Sequence, residues 1–447
     1  MKRKILLILG ITTGLFATII NVPTDSSSIQ GGINGAIDGD TVLVQPGTYF
    51  ENINFNGQNV IVMSENGADS CTIESAAGVF ENGTVVIFEN GENHTAELKG
   101  FTISGGNAES MGGGILCENS SPVLKDLKII NNHSGYSAAW DGIGVGGGIA
   151  LINSDAYVYD SIISSNLTSG GWGHNGSGGG IYCSNSSPTF STVLIADNHS
   201  GTGGGLMSNS STIIMLNCTT IDNDASKINS EVGNGIQLNN SVLTVINSII
   251  WGSDSLQDIV SLDSSIISMS YTNFHHGMDG SGNISDDPLF VDPDNGDYCL
   301  QQGSPGIDAA ASLFIWEGDT MVNIPDSLYN GNAPDMGAYE SPYTVGAVND
   351  LDVLPDKYAL NQNYPNPFNP TTAFSYTLPE LASIKLTVFD IRGQEVIILS
   401  ESDKPPGKYE VHWNGKDHNR IQVSTGVYFC RLQTGSFNQT IKMVFLR

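Results

Sequence analysis

The sequence predicts an all-β chain, a long coil of short stacked strands followed by a small antiparallel sandwich, and three observations predict it. First, between residues 112 and 253 one pattern returns five times. It opens at Gly112-Gly113-Gly114-Ile115, Gly146-Gly147-Gly148-Ile149, Gly178-Gly179-Gly180-Ile181, Gly203-Gly204-Gly205-Leu206 and Gly233-Asn234-Gly235-Ile236. A spacing of about 25 to 34 residues marks stacked supersecondary units. Strands of about five residues with Gly and Asn between them leave no room for a helix of about ten in each unit. Second, the units agree position by position: Cys117-Glu118-Asn119-Ser120-Ser121-Pro122 matches Cys183-Ser184-Asn185-Ser186-Ser187-Pro188, and Asn132-His133-Ser134-Gly135 matches Asn198-His199-Ser200-Gly201. Third, the composition changes abruptly near residue 346. Before it, from residue 21, the only Lys or Arg residues are Lys99, Lys125, Lys128 and Lys227; after it Lys and Arg are frequent and strands alternate.

The chain opens with Met1-Lys2-Arg3-Lys4 and an apolar run over 5–20. These are the basic and apolar regions of a secretory signal peptide over residues 1–20, too short and wrongly flanked for a membrane span. Ala17 is the one small residue available as a cleavage point. Residues 29–37 carry apolar side chains at helical spacing, Asp38-Gly39-Asp40 turns the chain into a strand over 41–44, and Pro46-Gly47-Thr48-Tyr49 ends it. Less regular coils follow, with strands expected at 60–63, 85–88 and 98–103. After the regular array come strands at 242–246 and 265–269.

Stacking coils in parallel places like residues about 4.8 Å apart, so they form columns. Asn132, Asn166, Asn198 and Asn223 are expected to bond amide to amide at a turn in the left-handed conformation that Asn tolerates. Ile129, Ile163, Ile195, Thr220 and Ile250 are expected to form a buried ladder. The six cysteines show no metal-ligand spacing; Cys117 and Cys183 fall two coils apart, about 10 Å and beyond disulfide reach. They read as small buried hydrophobes.

These features resemble the right-handed parallel β-helix repeat proteins of the pectin-lyase-like superfamily. The helical stretch at 29–37 is similar to the short amphipathic plug that closes the open end of such cores. Asp287-Pro288-Leu289-Phe290-Val291-Asp292, Gly303-Ser304-Pro305-Gly306-Ile307-Asp308 and Pro334-Asp335-Met336-Gly337-Ala338-Tyr339-Glu340 resemble its closing segment. The resemblance covers residues 29–340 and implies a right-handed β-helix passenger over 21–346. Gly47-Thr48-Tyr49-Phe50-Glu51 fits the G-x-Y-x-E string of pectin methylesterases, but none of that family's catalytic motifs follows.

Beyond a linker at 347–357, strands at 384–389, 395–399, 410–413, 427–432 and 440–446 argue a small antiparallel sandwich. The string Tyr364-Pro365-Asn366-Pro367-Phe368-Asn369-Pro370-Thr371-Thr372, with Trp413-Asn414-Gly415-Lys416-Asp417, Ser424-Thr425-Gly426-Val427-Tyr428-Phe429 and the terminal Lys442-Met443-Val444, resembles the carboxy-terminal sorting domain of type IX secretion cargo, an FlgD-like immunoglobulin fold. Cys430 stands where an aromatic residue is usual, and Asn419-Arg420-Ile421 where a glycine turn is expected. The resemblance covers residues 358–447. It implies the type IX machinery as partner and the extracellular space or outer-membrane surface of a Gram-negative cell as destination.

A net charge of −29 and a pI near 4.3 repel nucleic-acid phosphates and anionic membranes and favour cations, calcium first. Solenoids place function in their insertions. Two coils insert longer loops at one corner: Tyr136, Trp140 and Asp141 in the first, Trp172 and His174 in the second. Indoles flanked by polar groups suit sugar rings, which stack on aromatics and bond through their hydroxyls; the alternative is that both Trp fold back over the glycine-rich corner. Asp126/Asp160 and Asp197/Asp222 should each stack at one inter-coil spacing, about 5 Å. Carboxylates that close need a bridging cation such as calcium, a shared proton, or relief by Lys125, Lys128 and water. The Asp292-Pro293-Asp294-Asn295-Gly296-Asp297 string reads as a solvated turn. His275-His276 has no ligand partner at useful spacing, and His133 and His199 belong to a turn column.

Two functions fit: a glycan-binding or adhesive surface protein, and a polysaccharide lyase or glycoside hydrolase that would use the same four aspartates. β-Elimination on uronates needs a cation and a base, commonly Arg or Lys, yet residues 21–346 hold no arginine. The paired-aspartate, G-H-G and R-I-K strings of polygalacturonases are missing too. The sequence favours binding.

Overall fold

The computed structural model describes residues 17–76, 83–135, 143–170, 176–225, 235–252, 258–316, 319–344, 357–379, 382–404, 407–418, 421–435 and 437–446. The chain divides into two compact units, Met1–Val345 and Gly346–Arg447.

The first unit is a parallel β-helix. Ile115–Glu118, Ile149–Ile152, Ile181–Ser184, Leu206–Asn209, Ile236–Asn239 and Ile259–Leu262 stack in parallel as one wall. Val123–Lys125, Tyr157–Ser164, Thr189–Ala196, Thr212–Leu216, Val242–Ile246 and Ile266–Ser270 belong to the second. Short strands such as His133–Ser134, Leu167–Thr168 and His199–Ser200 line the third. Register holds from coil to coil, so the pairs Ile129, Ile163, Ile195, Thr220 and Ile250 form a continuous ladder. All five are buried.

The walls meet at corners where one residue takes a positive φ. Asn119, Asn153 and Asn185 do so at one corner; Asp126, Asp160, Thr192, Asn217 and Asn247 at the next; Asn131, Ser165, Asp197 and Asp222 at the last. Asn and Asp tolerate this left-handed conformation better than other side chains. Asn132, Asn166, Asn198 and Asn223 form the expected amide ladder, with Nδ2 to Oδ1 distances of 3.0, 3.0 and 2.9 Å. The left-handed residue, however, is the one before each of them, so the sequence expectation was one residue out. The ladder Asn is chosen for its side-chain bonds and the preceding residue for its backbone. A second, unforeseen ladder runs through serines: the Oγ of Ser186, Ser211, Ser241 and Ser265 accept from the backbone N–H of Ser154, Ser186, Ser211 and Ser241.

The amino-terminal plug is helix Ile29–Gly35, whose Ser28 cap accepts from the Gly31 N–H at 3.0 Å. Glu51 adds a second cap, accepting from the N–H groups of Ile29 and Gln30. Ile29 and Ile33 are buried with Val22 and Val42 and close the core. Strand Ile19–Val22 pairs with Thr41–Val44, and the Thr18 N–H donates to the buried Asp40 carboxylate at 2.7 Å. A leader ending at residue 20 would therefore halve a strand. A cut after Ala17 leaves it whole.

The closing segment does not merely cap the far end. Residues 278–284 line the last coil, where Asn283 accepts from the Thr272 N–H and donates to the Met269 carbonyl. The chain then turns back along the flank. Asn247 exchanges two 2.8 Å bonds with the Ala311 backbone, its carbonyl accepts from the Gly337 N–H, and Thr219 Oγ1 accepts from Ala338. Tyr298, Leu300, Ile307 and Met336 thereby cover the outward apolar residues Leu194, Ala196, Ile221 and Ile249, which would otherwise form an exposed patch.

The second unit packs two antiparallel sheets. Ala359–Leu360, Thr372–Leu378 and Gly407–Trp413 form one; Glu395–Lys404, Ala382–Phe389, Gly426–Thr434 and Phe437–Phe445 form the other. Phe368, Phe374, Tyr376, Trp413 and Phe445 fill the core, and the Trp413 indole N–H is satisfied by the Lys416 carbonyl at 2.8 Å. Strand Thr372–Leu378, passed over in sequence, alternates buried and half-buried residues along its whole length. Cys430 is fully buried, in keeping with its replacing an aromatic residue. All six cysteines are free thiols, five buried and Cys299 half-buried. Among the described residues no helix is long and apolar enough to cross a membrane.

Candidate functional site

Tyr136, Trp140, Asp141, Trp172 and His174 lie outside the described residues, but the feet of both loops are defined. The Gly144 N–H donates to the Ser169 carbonyl at 2.9 Å, Ser169 donates to Ser134, and Ile143 bridges Gly170. The two loops therefore rise from neighbouring coils at one corner. In the next coil the N–H groups of Gly201 and Thr202 both donate to the Gly176 carbonyl, which closes the corner without an insertion. The sequence contrast between two long connections and a minimal one is thus a feature of a single edge. His133 and His199 sit in the short-strand column beside it; His199 Nδ1 lies 3.0 Å from Asp224 Oδ2, and burial lowers the His133 pKa.

The four aspartates stack as the spacing implies, and each pair is relieved by protein groups. Asp126 and Asp160 are in register on adjacent coils. Lys125 Nζ lies 3.6 Å from Asp160 Oδ2 and 4.8 Å above the Tyr159 ring, while Lys128 pairs with Asp69. An ammonium thus stands beside this pair and offsets part of the repulsion between its carboxylates. At Asp197/Asp222 the Tyr298 hydroxyl donates to Asp197 Oδ2 at 3.2 Å and also reaches Asp222. Partial desolvation and then the Asp197 charge push the Asp222 pKa up, and the Tyr298 bond opposes them. Both pairs occupy positive-φ corners, which accounts for Asp there without catalysis. The Asp292 string is a self-satisfied turn, with Asn295 Nδ2 donating to Asp292 Oδ2.

Where the closing segment meets the coils it leaves a cleft of about 320 Å³, at the lower end of ligand-pocket sizes. Asp160, Thr192 and Asn217 form one wall; Leu328, Tyr339 and Glu340 stand on the other. Asp335, which also lines the cleft, is buried and accepts from the N–H groups of Asp308 and Ser341, so it holds the segment. Desolvation raises its pKa and those bonds lower it. Sequence reasoning could not foresee this cleft, because one wall arrives from more than a hundred residues away.

His275 and His276 do have a partner, contrary to expectation. Asp258 Oδ2 lies 3.6 Å from His275 Nδ1 and 3.8 Å from His276 Nε2. Coil stacking brings residues 258 and 275 together although they are remote in ligand spacing. The signal was present, since Asp258 stands where preceding coils carry glycine.

Residues 362–446 match the family profile of the secretion system C-terminal sorting domain. The second unit is therefore a type IX secretion sorting domain, and the chain is an exported protein delivered by that system. No curated protein matches the chain. Among solved structures, one likeness is to PorZ, described as an essential bacterial surface component of the type-IX secretion system of Porphyromonas gingivalis, at 18% identity and a TM-score of 0.15. It covers 21% of this chain and 12% of that one, too little to carry an argument about fold or function.

Proposed function

We propose that the β-helix is a surface or secreted passenger that binds glycan at the corner bearing the two inserted loops, and does not cleave it. The observation that carries this reading is the stacking of the loop feet through the Gly144–Ser169 bond. It brings the origins of the Trp140 and Trp172 loops one coil apart, a spacing at which adjacent indoles can meet successive faces of one saccharide chain. Binding is favoured over hydrolysis because the aspartates an oxocarbenium route would use already have Lys125 and Tyr298 as partners, whereas such a route needs an acid and a second carboxylate about 5 to 9 Å apart across the sugar.

One sugar stacked on an indole contributes on the order of 1 kcal/mol, so two contribute about 2 kcal/mol, and millimolar to micromolar affinity needs about 2 to 6 kcal/mol more from hydroxyl hydrogen bonds or avidity. Affinity electrophoresis through gels cast with candidate polysaccharides tests the reading. The wild type is expected to be retarded on at least one polymer. Trp140→Ala and Trp172→Ala should remove the retardation with no change in melting temperature. Equal retardation of wild type and double variant would overturn it.

A further inference from the structure

The asparagine ladder dictates the glycine that opens each coil. A Cβ on Gly114, Gly148, Gly180 or Gly205 would lie 2.9 to 3.0 Å from the side-chain amide of Asn132, Asn166, Asn198 or Asn223. The next positions in that column are Gly235 and then Asp258, whose carbonyl accepts from the Ile236 N–H. Asp258 thus replaces glycine beyond the last ladder asparagine. Its side chain is 2% exposed. The Oδ1 atom lies against Gly252, where a Cβ would fall 1.9 Å from it. The Oδ2 atom is buried with no donor at full hydrogen-bond distance, and the His275 and His276 imidazoles face it from 3.6 and 3.8 Å. A carboxylate so placed is costly unless something positive completes it.

We propose that Asp258, His275 and His276 form a site for a divalent transition-metal ion of the zinc class. One ligand atom from each lies within 4.8 Å of the others. Donors in a tetrahedral zinc site with bonds of 2.0 to 2.2 Å stand about 3.3 Å apart, so the Asp258–His275 and Asp258–His276 separations of 3.6 and 3.8 Å close by a few tenths of an ångström, and the two histidine nitrogens, within 4.8 Å of each other, by about 1.5 Å at most. Two imidazoles with one carboxylate select zinc, nickel or copper over calcium and magnesium, which prefer all-oxygen shells. The His275 ring packs on Trp251 at 4.4 Å between centroids, and His276 stacks on His275 at 4.8 Å with its edge to Phe274, which limits the rotation of both. His276 is 44% exposed, leaving the outward positions for water or a ligand. The ion would tie the start of strand Ile259–Leu262 to the turn after Asn273–Phe274, joining the last two coils where a solenoid frays first.

Calorimetric titration of the full-length chelator-stripped protein with zinc chloride tests this, with Co(II) absorption as a second readout. One zinc per chain and Co(II) d–d bands are expected, and calcium chloride should give no heat. The His275→Ala/His276→Ala variant should bind more than about a hundredfold more weakly, since loss of even an outer-shell partner costs 10- to 100-fold. Asp258→Asn risks unfolding the corner, so the histidine variants decide, with circular dichroism confirming their fold. A wild type that binds no zinc, or a double variant that binds it equally well, overturns the proposal.

Discussion

Asn166→Ala removes the centre of the amide ladder. Its Nδ2 donates to the Ile129 carbonyl at 2.8 Å and to Asn198 Oδ1 at 3.0 Å; its Oδ1 accepts from Asn132 N at 3.1 Å and Asn132 Nδ2 at 3.0 Å. The residue is 1% exposed, so water cannot replace these bonds. At about 1 kcal/mol net per bond, with buried partners left unsatisfied, the loss is about 4 kcal/mol. Asn223→Ala, at the end of the ladder and 7% exposed, should cost less, because its partners can be rehydrated. Asn166→Asp should cost more than alanine, since it sets an oxygen against the Ile129 carbonyl and Asn198 Oδ1. Urea unfolding followed by far-UV circular dichroism measures the order, and hydrogen exchange over 157–200 measures the local component. A loss below about 1 kcal/mol for Asn166→Ala would refute the claim that side-chain bonding, not turn propensity, selects asparagine there.

Other predictions concern the two ends and the flank. Deleting residues 358–447 should strand the passenger in the periplasm of a type IX host; unchanged extracellular yield would contradict the sorting role. Intact mass should place the mature amino terminus at Thr18, where the freed ammonium meets the buried Asp40 carboxylate. The backbone bonds from Thr18 and Ile37 hold the Asp40 pKa below its usual value, so its stabilisation is present above the unfolded value of about 3.9 and lost as pH falls through the folded one. Asp40→Asn should therefore lower the melt at pH 7, with the gap shrinking below pH of about 4. Asn247→Gly keeps the left-handed corner but deletes both bonds to Ala311, and should raise proteolysis and hydrogen exchange of residues 287–341 while leaving 157–200 unchanged. With Lys125 beside Asp160, adding calcium to the chelator-stripped protein should leave its melting temperature unchanged.

The coil, its buried ladder and the sorting domain were legible because a repeat in register turns each column into a string readable along the chain. Asn132, Asn166, Asn198 and Asn223 could be aligned by eye. Their backbone conformation could not, because the demands on side chain and on φ fall on neighbouring residues and both favour Asn. The same ambiguity made Asp126, Asp160, Asp197 and Asp222 look like chemistry when a positive-φ corner also accepts Asp. What stayed hidden depends on contacts across many coils: the return of residues 287–341 along the flank, Tyr298 over the Asp197/Asp222 pair, and the meeting of Asp258 with His275 and His276. Only the last left a trace, one aspartate in a column of glycines.

A glycan-binding corner on an exported β-helix that leaves its ligand intact must show both retention and the absence of released products. A glycan array probed with the secreted protein, with reducing ends and unsaturated uronates assayed on every polymer that binds, tests it most directly. Retention on at least one polysaccharide is expected, with loss of retention in Trp140→Ala/Trp172→Ala and no released products. Product release that Asp160→Asn abolishes would contradict it and identify a lyase or hydrolase instead.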